Sequence, residues 1–110
     1  MANIAGRAHA LAKKQMKCFG GMVTFTLKDA SFDQVKTFLS ALKITTLAES
    51  LGGVEGLIEA PATMTHAAVP EEQRKKLGIT EGFLRFSVGI EDTKDVLADL
   101  KQALDKVFPQ

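Results

Sequence analysis

A permanently charged side chain in the middle of an apolar strand needs a partner, and Arg85 is such a residue. It stands between Leu84 and Phe86, where an unpaired guanidinium would be costly to bury. Its planar fork fits a carboxylate through two parallel hydrogen bonds, each worth roughly 1.5–3 kcal/mol when charge-assisted. That carboxylate belongs either to a ligand or to a structural partner such as Glu49, Glu55 or Glu91, and spacing alone favours the structural pair. Ser50-Leu51-Gly52-Gly53 is the second point of interest. Adjacent glycines let backbone approach a ligand and expose N–H groups, although a tight turn after a strand explains them as simply. The run has neither GxGxxG spacing nor a GK[ST] ending, so it is no phosphate cradle. Thr65-His66 suits local hydrogen bonding. Cys18 has no predicted base beside it, which argues against a nucleophile. Cys18, His9 and His66 lack paired ligand spacing, so no metal site is expected. Lys13-Lys14 and Arg74-Lys75-Lys76 read as solvated helix faces.

The elements that must position these residues follow from periodicity. Ile4, Ala8, Leu11, Ala12 and Gln15/Met16 fall near one face of a basic first helix whose stripe is mostly alanine, too weak to stand alone. Gly20 and Gly21 end it. Val23, Phe25 and Leu27 alternate with Thr24, Thr26 and Lys28, the period of a half-buried strand. Ser31 and Gln34 form a capping box, with Asp33 at the positive end of the dipole. Phe32, Val35, Phe38, Leu39 and Leu42 then line a helix ending near Lys43. Ile44 to Ala48 is a short strand candidate. From Glu49 to Val69, punctuated by Gly52, Gly53, Gly56 and Pro61, no clean period appears. Pro70 opens a short helix that Gly78 closes. A strand around Leu84, Phe86 and Val88 lies between Gly82 and Gly89. Asp92 caps a final helix with the stripe Val96, Leu97, Leu100, Ala103, Leu104, Val107 and Phe108, ended by Pro109. The expected fold is α+β: a small, mainly antiparallel open sheet with helices packed on one face.

Composition narrows the function classes. The 110 residues are 45% hydrophobic and 25% charged, the range of a globular chain long enough for one core. Fourteen basic and thirteen acidic residues give a net charge of +1, which argues against a dedicated nucleic-acid binder. The charge is uneven: residues 1–28 hold Arg7, Lys13, Lys14, Lys17 and Lys28 and no acid. No apolar run is long enough to span a bilayer, and the start lacks a secretory signal's apolar centre. A single cysteine suits a reducing compartment, and the expected location is the cytoplasm.

The run from Thr46 to Leu104, with ESLGG, PATMTHA and LRFSVGIED in that order, closely resembles the C-terminal end of the Cys/Met-metabolism family of pyridoxal-phosphate enzymes. LAKKQMKCFGGMVTFTLK, residues 11–28, extends the match over nearly the whole chain, although Cys18 stands where the family commonly has glycine. The ESLGG form is closest to the cystathionine γ-lyase and γ-synthase branches. The resemblance implies the C-terminal domain of a fold-type I enzyme of transsulfuration, with residues 1–18 a junction helix and 19–110 the α/β core. It implies that Arg85 holds the substrate's α-carboxylate. It places Ser50 beside that carboxylate, Leu51 offering its backbone, Glu49 at the pocket rim where it influences amino-acid preference, and Thr65 near the same pocket.

No segment matches the family's Schiff-base lysine, its pyridine-facing aspartate or its phosphate-binding groups. The expected pyridoxal phosphate therefore belongs to an N-terminal domain outside this chain, and these residues alone are expected to be inactive. The expected partners are that domain, a small amino-acid substrate and a second copy of the chain. Two alternatives use the same residues differently: a free-standing module binding a carboxylate metabolite, and a domain that modulates subunit assembly.

Overall fold

The computed structural model describes residues 6–64 and 67–109. Helix α2 (Phe32–Ala41) begins where the sequence predicts. Gln34 N donates to Ser31 Oγ at 3.3 Å and Ser31 N to Gln34 Oε1 at 2.9 Å, completing the capping box. Helix α4 (Thr93–Val107) is capped by Asp92, whose carboxylate accepts from the N–H groups of Lys94 and Asp95. Helix α1 (Gly6–Gln15) and the short α3 (Glu71–Lys76) complete the helices, with Gly78 closing α3 at φ +80°.

The sheet runs β1 (Met22–Thr26), β4 (Phe83–Ser87), β3 (Leu57–Glu59), β2 (Thr46–Leu47). The β1–β4 and β4–β3 pairings are antiparallel and β3–β2 is parallel, so the α+β expectation holds. One face carries Leu84, Phe86 and Ile58, buried against Val35 and Phe38 of α2 and Val96, Ala103 and Val107 of α4. Phe25 meets Phe38 edge-on, their ring centroids 6.2 Å apart.

Strand β3 departs from expectation, because it lies inside the segment read as irregular. Its three residues Leu57, Ile58 and Glu59 are all buried, so no polar alternation marked it. Arg85 accordingly sits on the fourth strand rather than the third. The second strand shrinks from the expected Ile44–Ala48 to Thr46–Leu47. The stripe of α4 is narrower than the sequence suggests: Leu97 is 60% exposed, and Leu104 and Phe108 also face outward. Leu11 and Met16 of the first helix region are exposed too, consistent with a stripe too weak to bury itself.

Ile44 lost its strand geometry to a buried acid. Asp99 on α4 accepts from Lys43 N at 2.8 Å, Ile44 N at 2.9 Å and Thr45 N at 3.3 Å, while Gln102 Nε2 adds a fourth bond at 3.0 Å. Burial pushes the Asp99 carboxyl up, but these four donors more than offset it and hold its pKa below the ordinary 3.8. Folded Asp99 therefore binds its proton more weakly than unfolded Asp99. Its stabilisation is fully present above the unfolded value and is lost as pH falls through the lower, folded one. Thermal unfolding between pH 6 and pH 3 should show Tm falling below about pH 4. Asp99→Asn should flatten part of that fall and destabilise the chain by about 1–3 kcal/mol at neutral pH, since one amide oxygen cannot serve three N–H groups.

Candidate functional site

Alternation along β4 sends Leu84 and Phe86 into the core and Arg85 and Ser87 to the opposite face of the sheet. Register then decides the neighbours. Arg85 lies directly across from Glu59 on β3 and from Thr24 on β1, and residues so placed in an antiparallel pair share a face. Arg85 Nη2 meets Glu59 Oε1 at 3.0 Å, with side-chain exposures of 23% for the arginine and 1% for the glutamate.

The parallel pairing of β2 and β3 does the rest. Two parallel strands cannot be joined by a hairpin, so the chain between them must travel back along the sheet. That return is residues 48–56, which contains Glu49, Ser50, Leu51, Gly52 and Gly53. It passes the tips of Arg85 and Ser87. Arg85 Nη2 donates to the Glu49 carbonyl oxygen at 3.3 Å, and Gly52 N donates to Ser87 Oγ at 2.8 Å. The far end of the loop is fixed by Glu91, whose Oε2 accepts from Gly56 N at 2.8 Å, and by Ile90 N donating to the Val54 oxygen at 2.8 Å. Gly52 adopts φ +78°, a conformation that favours glycine.

The expected residues thus stand in three positions. Arg85, Glu49, Ser50 and Leu51 come together, with Ser50 and Leu51 exposed beside the arginine's loop contact. Thr65 lies outside the described residues, as does His66. The structural partners named for Arg85 are corrected: Glu49 supplies its backbone carbonyl and not its carboxylate, Glu91 holds Gly56, and the acid that meets the guanidinium is Glu59. Two residues that position the site escaped the sequence reading, Glu59 and Ser87. Both lie on the face opposite the core and yet are buried. No local signal marks Glu59 as the partner, because the pairing is made by register between strands distant in sequence.

The contacts of Arg85 have a chemical consequence. A guanidinium offers five N–H donors in a fixed fork. Both described contacts use Nη2, and Nη1 and Nε make no hydrogen bond among the described residues. Nη1 thus remains to grip an anion, and a two-nitrogen grip requires the long 3.3 Å bond to Glu49 to yield. A separate apolar cavity of about 500 Å³ lies between β1, β4 and α4, lined among others by Val23, Phe25, Val88, Leu97 and Leu100. It has neither Arg85 nor the Glu49–Gly53 loop on its walls. Polar, convergent groups make the arginine side the candidate site, whereas the cavity is lined mainly by apolar side chains, with Glu91 and Thr93 among its few polar ones.

The model of the Cys/Met metabolism PLP-dependent enzymes matches residues 5–105. The chain belongs to that family. It is 59% identical over 98 residues to a cystathionine gamma-lyase of Dictyostelium discoideum, covering 89% of this chain and 25% of that protein. It is 56% identical to a cystathionine beta-lyase of Lactococcus lactis subsp. cremoris, with the same coverage. A crystal structure of cystathionine gamma synthase from Xanthomonas oryzae pv. oryzae in complex with cystathionine superposes with a TM-score of 0.82 at 49% identity, covering 91% of this chain and 26% of that one. The chain thus spans about a quarter of the length of the relatives it matches. The two lyase types stand at nearly equal identity, so the comparisons leave the γ-type leaning of ESLGG as it stood.

Family membership makes pyridoxal phosphate the cofactor to test against these residues. Such a group is held through a lysine amine inside a cleft. Every lysine of this chain is exposed, and Lys75 and Lys101 are paired along their own helices with Glu71 and Asp105. The lysines present do not fit that role. Among the described residues no helix is long and apolar enough to cross a membrane.

Proposed function

We propose that this chain is the C-terminal, substrate-side domain of a pyridoxal-phosphate-dependent transsulfuration enzyme, acting by γ-elimination or γ-replacement on cystathionine or homoserine-derived amino acids. Arg85 receives the substrate's α-carboxylate. Ser50 and the Leu51 backbone flank it, Glu49 stands at the rim, and Thr65 belongs near the same pocket. The observation that carries this reading is the guanidinium braced at Nη2 beneath the Glu49–Gly52 loop, with Nη1 uncommitted among the described residues. The cofactor's lysine and phosphate donors come from an N-terminal domain, with residues 1–18 at the junction and 19–110 as the α/β core. Exposed Leu77, Ile90 and Leu97 favour self-association in the cytoplasm, where the whole enzyme would work.

Two measurements test it. Pyridoxal phosphate added to the isolated chain should produce no aldimine absorbance band at modest concentration; a band would show that the chain forms the Schiff base by itself. Arg85→Lys in a complete enzyme should raise KM, because the charge survives and the fork is lost. An unchanged KM would count against the carboxylate assignment.

A further inference from the structure

Glu59 is the most buried carboxylate near the site, 1% exposed, and it lies behind Arg85 as seen from solvent. Its placement is set by backbone. The register Glu59↔Arg85 puts the two Cβ atoms face to face across β3 and β4, and the side chain's length closes the gap to 3.0 Å. A buried negative charge behind an anion site works against the anion, since it offsets part of the arginine's attraction. Pairing offsets the cost of largely burying the arginine, but only geometry gives the acid a use to the ligand. Arginine has many rotamers, and a fork that is already aimed loses less freedom when the ligand arrives.

We propose that Glu59 is a positioning residue for ligand carboxylate: from its buried place on the same face of the sheet it pins Nη2 of Arg85, so that Nη1 is presented outward to the acid group of the substrate. The inference rests on the carboxylate reading of Arg85 and adds to it a residue that never touches the ligand. What matters in this role is reach, so the side chain's length should count for more than its charge.

The test uses a complete enzyme, built by joining this chain to the remaining part of the Dictyostelium cystathionine gamma-lyase, which is 59% identical over the matched region. Glu59→Asp keeps the charge but withdraws the acceptor by one methylene. KM should rise about tenfold with kcat within about twofold, because the bond that aims the fork is misplaced. Glu59→Gln keeps the reach and an acceptor oxygen while removing the charge, and KM should stay within about threefold of the parent or fall. The opposite order, with Gln worse than Asp, would mean that Glu59 balances charge, and the proposal would be wrong. It would be equally wrong if Glu59→Asp lowered kcat along with raising KM, or failed to fold while Arg85→Ala folded, since either marks a general structural role. Arg85→Ala separates the two levels. If that variant leaves KM unmoved, the carboxylate reading itself fails. If it raises KM and the Glu59 variants do not divide as expected, only the positioning role falls.

Discussion

Arg85→Ala in a complete enzyme is expected to raise KM for an amino-acid substrate on the order of 100-fold. One charge-assisted hydrogen bond is worth roughly 1.5–3 kcal/mol, and about 1.4 kcal/mol is a tenfold change in an equilibrium constant. Loss of the Nη1 contact plus part of a second bond thus reaches about two decades. The residue grips a part of the substrate remote from the reacting carbon, so the loss should appear first in KM. It does more than remove a cation: the ion pair with Glu59, 1% exposed, is lost too, which adds a cost in stability. Steady-state kinetics together with a thermal melt separates the two effects. A KM within threefold of the parent enzyme would remove Arg85 from the site.

Gly89→Ala is the largest stability effect expected. Gly89 follows β4 at a point where the loop 52–56 presses directly against it. A methyl group there would lie 2.5 Å from the carbonyl carbon of Glu55, and closer still to Gly56 N and Glu91 Oε1. Two of those atoms are backbone, and the third belongs to the carboxylate that holds Gly56 in place. None can swing aside without breaking the clasp that anchors the loop. Overpacking of this kind costs about 3 kcal/mol or more, which in a chain of this size lowers Tm by more than about 10 °C. Gly53→Ala is the control, with nothing within 4 Å of the added carbon and an expected change within about 0.5 kcal/mol. A melt in which the two variants coincide would show that the Glu91 clasp does not hold the loop.

Much of the fold was legible because local signals agreed with one another. Ser31 and Gln34 announced the start of α2, Asp92 that of α4, and the alternation Val23, Phe25 gave β1 its inward face. Each signal spans only a few residues, and capping or side-chain alternation is decided within that span. Strand β3 was invisible for the converse reason. Leu57-Ile58-Glu59 shows neither alternation nor length, and it becomes a strand because β4 and β2 present hydrogen-bonding edges on either side of it. The exposed Leu97 and Leu104 show the same limit from the helix side, since periodicity finds a stripe but not how much of it a small sheet can cover. Asp99 is a further case. Nothing near it in sequence calls for a buried acid, and its partners at Lys43, Ile44 and Thr45 lie more than fifty positions away.

The candidate site divides along the same line. Residue types and their order determined the family, the arginine, and the Glu49–Gly53 loop as its companion, because side-chain chemistry is carried by the chain itself. Only the tertiary structure decided which acid meets Arg85, which nitrogen that acid occupies, and that Ser87 tethers the loop at Gly52. Those facts depend on strand register and on the parallel crossover from β2 to β3, and register is set by the burial of whole faces against helices distant in sequence. A guanidinium can be recognised in one dimension. The direction in which it points is settled only when the sheet has closed around it.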